Sequence, residues 1–96
     1  MIVHRQTFTV KLGQRDAAME LLNTGGAHVE PTPTFRVYGN SIGPHDTVVL
    51  EIEFENLADY ERFWNAWSAA PESAAVMEKW HQLIKPGGTS EIWDLL

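Results

Sequence analysis

From Ile2 to Leu12 the chain alternates between two kinds of position. The even ones are Ile2, His4, Gln6, Phe8, Val10 and Leu12, and the odd ones are Val3, Arg5, Thr7, Thr9 and Lys11. Period two with Thr and Val predicts a strand with one mostly apolar face, ended by Gly13. Residues 14–24 carry Ala17, Ala18, Leu21 and Leu22 on one stripe of a short helix that Gly25-Gly26 stops. Residues 25–34, with two Gly and two Pro, read as a loop. Phe35–Ile42 and Thr47–Glu55 predict a hairpin around Gly43-Pro44-His45-Asp46. Pairing 42 with 47 sets Arg36 opposite Glu53 and Tyr38 opposite Glu51. The other face then pairs Phe35 with Phe54 and Val37 with Ile52. Asn56 is placed to cap a helix whose stripe is Tyr60, Phe63, Trp64 and Trp67. Pro71 breaks or kinks that helix. A second stripe, Val76, Met77, Trp80, Leu83 and Ile84, runs to Pro86-Gly87-Gly88, and Glu91–Leu96 predict a last strand.

Strand, helix, strand, strand, helix, strand is the ferredoxin-like βαββαβ order. Its fold class is α+β, with both helices on one face of a four-stranded antiparallel sheet. Right-handed crossovers put the first and third strands side by side in the middle. Phe8, Val10, Phe35, Val37, Leu50, Ile52 and Phe54 then face the helices. Arg5, Lys11, Arg36, Tyr38, Glu51, Glu53 and Glu55 face away. Such a face is either wet or covered by a second copy.

Composition narrows the function classes. Ninety-six residues predict a single domain spanning 1–96. At 44% hydrophobic and 21% charged residues, the chain reads as a globular protein. A net charge of −6 argues against nucleic acid as a partner. The absence of cysteine removes disulfides, thiol nucleophiles and thiolate metal sites. With no apolar run of signal-peptide or membrane-span length, the expectation is a cytoplasmic protein without a membrane partner.

Thr7-Phe8-Thr9-Val10-Lys11-x-Gly13, Ile42-Gly43-Pro44, Leu57-Ala58-Asp59-Tyr60, and the Pro71 break followed by Ile84-Lys85-Pro86 together resemble the NIPSNAP family. The resemblance spans almost the whole chain and implies membership of the dimeric α+β-barrel superfamily. There two ferredoxin-like subunits pack sheet against sheet. Relatives in that superfamily include cofactor-less monooxygenases, isomerases, decarboxylases and haem-degrading enzymes, while NIPSNAP-like members have no single established activity. The family often has an acidic residue and an arginine where this chain has His4 and Gln6, and a proline where it has Leu12.

Those departures coincide with the most informative oddity, since His4 and Gln6 interrupt the apolar face of the first strand. Each is either satisfied locally near the strand's start or reaches a cavity. In the second case His4 is the candidate catalytic residue, a general base, and Gln6 a substrate-binding one. Trp64 and Trp67 are either core or the walls of a site for a small apolar or aromatic ligand. Gln6 is placed to accept a buried indole N–H in either case. Glu78 and His81 make one Glu-x-x-His spacing, too little for a metal site, and no residue stands out as a haem ligand. No metal and no cofactor is expected. The Gly-Gly pairs lack the context of a phosphate cradle, and no serine sits in a nucleophile elbow. Two functions stay open: a cofactor-independent enzyme of monooxygenase or isomerase type, and a non-catalytic homodimeric binding or assembly module.

Overall fold

Alternation shapes the first element of the computed structural model, which describes residues 1–96. Strand β1 (Ile2–Thr9) buries Ile2 and His4 on one side and leaves Arg5 exposed on the other. It is followed by α1 (Arg15–Thr24), β2 (Phe35–Gly39), β3 (Thr47–Phe54), α2 (Leu57–Ala69), α3 (Pro71–Leu83) and β4 (Thr89–Asp94). All strand pairings are antiparallel, in the order β2-β3-β1-β4. With the helices packed on one face, this is the expected ferredoxin-like α+β architecture. No helix is long and apolar enough to cross a membrane.

The second helical segment is two helices. Ala70 ends α2 and precedes α3 in extended conformation, and Pro71 opens α3, where its missing N–H costs nothing. The Asn56 side chain accepts the Asp59 N–H at 2.9 Å, capping α2.

Three boundaries differ from the sequence expectation. β1 stops at Thr9, because the chain beyond it bonds elsewhere. Val10 N–H donates to the Asp46 carbonyl, and Lys11 N–H to that of Leu83, which ties the strand end to the end of α3. β2 stops at Gly39, so the connection to β3 is seven residues rather than four. Asn40 closes it by donating from Nδ2 to the Pro44 carbonyl at 2.7 Å. The hairpin register is consequently two residues from the one expected: Arg36 lies opposite Glu51 and Val37 opposite Leu50. A slip of two preserves both faces, which is why the face pattern alone did not separate the two registers. β4 begins at Thr89 and ends at Asp94, earlier than expected. Gly88, at φ +106°, turns the chain so close to β1 that a Cβ there would sit 2.5 Å from the Thr7 carbonyl oxygen.

The core lies between sheet and helices in two clusters. One gathers Ile2, Leu50, Ile52 and Phe54 under α2, with Tyr60, Phe63 and Trp64 against them. The other gathers Val10, Ala18, Val48 and Trp80, where α1 and α3 meet the sheet. Phe8 and Leu22 touch both. On the opposite face Arg5 bonds Glu51 through Nε and Nη2 at 2.7 and 2.6 Å, and the Tyr38 hydroxyl donates to the same carboxylate. Arg36 pairs diagonally with Glu53 at 2.7 Å. Lys11 and Glu55, expected on this face, lie just beyond the strand ends.

Candidate functional site

Where the two core clusters meet, the layers do not close. A partly open cavity of about 210 Å³ lies there, walled by Phe8, Leu50 and Ile52 of the sheet, Leu21 and Leu22 of α1, Trp64 and Trp67 of α2, and Met77 and Trp80 of α3. Gly25, Gly26, Thr32 and Pro33 of the loop after α1 form its rim. No residue of α2 is fully buried, as expected of a helix that spans a space rather than sitting down on the sheet. The cavity exists because α2 is held off at its edges. Trp64 Nε1 donates to His4 at one side, and Trp67 Nε1 donates to the Gly25 carbonyl at 2.8 Å on the other. The loop is pinned further by a 2.7 Å hydrogen bond between His28 Nε2 and the buried Ser73 hydroxyl of α3. Gly25 fits closely: a Cβ there would sit 2.8 Å from the Leu21 carbonyl oxygen and 3.1 Å from the Val76 side chain.

The four residues singled out by sequence are neighbours. Gln6, Trp64 and Trp67 line the cavity, whereas His4 lies behind Trp64 and does not reach it. His4 is 3% exposed. Its Nδ1 receives the Trp64 indole N–H at 3.2 Å, and its Nε2 is 2.7 Å from the Ser90 hydroxyl of β4. An indole only donates, so Nδ1 is the acceptor and the proton sits on Nε2, donated to Ser90. Tyr60 and Trp64 pack edge-on against the imidazole at 5.1 and 5.6 Å. Burial among these rings lowers the His4 pKa and keeps the ring neutral.

Gln6 does not accept an indole N–H, contrary to expectation, since His4 and the Gly25 carbonyl take both. Its amide has no hydrogen-bond partner in the chain and is not sealed off, so it is the one side-chain amide in a mostly apolar wall, where the Trp80 indole N–H is the other unbonded polar group. The Thr32 hydroxyl is committed to the Val29 carbonyl. Sequence reasoning missed the rim. The Gly25-Gly26 helix stop was the signal, because a helix that ends on glycines leaves a bare carbonyl that a large donor can reach. His81 is exposed, and no group of side chains is arranged to hold a metal ion. A second, larger depression of about 460 Å³ is lined by Glu53, Glu55, Asp59 and Arg62 together with apolar residues such as Phe54 and Phe63. It contains none of these four residues, and its charged walls are solvated.

No protein-family model and no curated protein matches the sequence. Solved structures do match the fold. An uncharacterized NIPSNAP domain protein from Burkholderia xenovorans superposes with a TM-score of 0.84 at 13% identity, over 100% of this chain and 95% of its own. A NIPSNAP family protein from Agrobacterium tumefaciens gives 0.79 at 16% identity, over 96% of this chain and 90% of its own. An antibiotic biosynthesis monooxygenase gives 0.73 at 13% identity, over 100% and 99%. At these identities the likeness is one of architecture: the chain has the ferredoxin-like α+β fold of NIPSNAP-domain proteins, which antibiotic biosynthesis monooxygenases share.

Proposed function

We propose that the chain is a NIPSNAP-like small-molecule-binding protein, one subunit of a homodimeric α+β barrel. Its ligand lies between sheet and helices, against Trp64 and Trp67, with a polar group at Gln6. One observation carries this reading: a cavity with aromatic walls contains a single side-chain amide that no protein atom satisfies. Small-molecule sites combine apolar walls with a few placed polar groups, and an accessible amide among aromatic rings is such a group. The test is protein-observed NMR with a set of apolar fragments on the wild type and Trp67→Ala. Binding that perturbs the Gln6, Trp64 and Trp67 signals and disappears in the variant is expected. Binding confined to other surfaces counts against the site.

Catalysis without a cofactor, of monooxygenase or isomerase type, is a second reading, favoured by the fold shared with an antibiotic biosynthesis monooxygenase. His4 is the proton acceptor in that reading, and because it stands behind Trp64 rather than in the cavity wall, it meets a ligand only if the Trp64 ring swings aside and frees Nδ1. Exchange of an acidic C–H of a bound ligand with solvent deuterium, lost in His4→Asn, is the matching measurement. A cytoplasmic location accords with either reading and with the cysteine-free composition.

A further inference from the structure

We infer that the cavity selects an uncharged, planar ligand of about two fused rings that carries one hydroxyl or carbonyl, placed at Gln6. This rests on the reading of the cavity as a ligand site and adds the chemistry of its occupant.

Charge is the first constraint. None of the residues lining the cavity ionises. Two histidines stand behind the walls: His4 is screened by Trp64 and has both nitrogens engaged, and His28 packs against Trp67 with its Nε2 bonded to Ser73. A carboxylate or phosphate entering this space loses its hydration and meets no counter-charge. The net charge of −6 opposes its approach as well.

Size is the second. The cavity, about 210 Å³, exceeds the roughly 150 Å³ apolar cavity that holds benzene. It falls short of the range, beginning at roughly 300 Å³, typical of drug-sized sites. One ring leaves a void, and a third would project beyond the rim of Gly25, Gly26, Thr32 and Pro33. Flatness follows from the walls: Phe8 and Trp80 meet edge to face at 4.7 Å, and Trp64 and Trp67 at 5.8 Å. These arrangements present ring faces and edges suited to another ring.

Polarity is the third. The Trp64 and Trp67 indole N–H groups and the Thr32 hydroxyl are already bonded within the protein, and the unbonded Trp80 indole can only donate, which leaves Gln6 as the side chain able to pair with either kind of group. The Gln6 amide can donate or accept, so one hydroxyl or carbonyl satisfies it.

The test uses naphthalene, 2-naphthol and 2-naphthoate at neutral pH, followed by amide and side-chain NMR shifts. The naphthol is expected to bind best. Naphthalene should bind about three- to tenfold more weakly for want of one hydrogen bond. Naphthoate should be at least about tenfold weaker than the naphthol. Gln6→Leu should abolish the preference for the naphthol over naphthalene while retaining naphthalene binding. Naphthoate binding as tightly as the naphthol would overturn the selection for neutrality and leave the ligand site standing. Equal affinity for naphthol and naphthalene in the wild type would remove the Gln6 anchor. Failure of all three to bind a folded protein would remove the ligand site itself.

Discussion

His4 joins three elements with one ring: it accepts from Trp64 of α2, reaches Ser90 of β4, and stands on β1. The Trp64 contact requires the neutral ring, because an imidazolium has no lone pair for the indole, whereas the donation to Ser90 survives protonation. The folded pKa is lowered by burial from an ordinary value of 6.5. The unfolded chain therefore binds the proton more readily, and folding is favoured above about pH 6.5 and weakened as pH falls from there through the depressed folded value. Wild-type stability is expected to decline on this acid limb. His4→Asn, which keeps an acceptor near Nδ1 and cannot titrate, should decline less. Denaturant midpoints for both proteins across the range decide it, and equal slopes would refute the role. His4→Leu should cost about 1–3 kcal/mol at neutral pH by leaving the Trp64 N–H without a partner. That His4 and Gln6 were unusual was legible in the sequence, because polar residues interrupted an apolar period. Which of them would meet an indole was not. The choice depends on how far α2 stands off the sheet and on a loop carbonyl at Gly25, and neither leaves a trace in side-chain spacing.

At the level of elements, local chemistry was the most readable part. Asn56 caps α2 and Pro71 opens α3, since caps and proline act within a few residues of themselves. Register was less readable: the period-two pattern assigns faces, and a shift of two residues satisfies it equally. The side chains still meet, diagonally, as Arg36 with Glu53 and Tyr38 with Glu51. At its start β4 is held by the Ser90–His4 hydrogen bond and by the close backbone approach at Gly88. Ala at position 88 places a Cβ against the Thr7 carbonyl and forces a left-side φ on a chiral residue. Gly88→Ala is expected to cost more than about 2 kcal/mol, the strain of about 1–2 kcal/mol plus the clash. It should also speed hydrogen exchange in β4 before the rest of the sheet. Gly39→Ala is the control. There the close neighbours are the Arg15 guanidinium and the Met19 sulfur, flexible ends able to move, so the loss should be smaller. Equal losses from the two substitutions would show that backbone approach at Gly88 is not what positions β4.

For the whole molecule the unresolved surface is the outer sheet face. Every residue of β4 is exposed, and Trp93 stands 52% exposed with the Arg5 guanidinium over its ring at 5.9 Å. Glu51 beside it is nearly buried even in the single chain, at 9% exposure. Desolvation, the largest influence on its carboxyl, pushes the pKa up. Hydrogen bonds from Arg5 and Tyr38 and the charges of Arg5 and Arg36 outweigh that and hold it below the usual value. A carboxylate so fully engaged with its own sheet is ready for burial against another surface. Charges already neutralised within one copy need no counter-ion from the second, and Trp93 supplies the apolar area at the contact. A second copy is the occupant this favours, since a two-fold axis would set the same sheet face of each copy against the other. Sedimentation at micromolar concentration should give twice the 10.8 kDa chain mass. Trp93→Glu, which adds an acid two residues from Glu91 and in the same row as Glu53, should sediment as a folded monomer. Retention of the dimer by that variant would place the interface elsewhere, and a monomeric wild type would refute the dimer. Glu51→Gln discriminates further. If the carboxylate is buried in the interface, the substitution weakens the dimer even at high salt, where an exposed ion pair has already been screened.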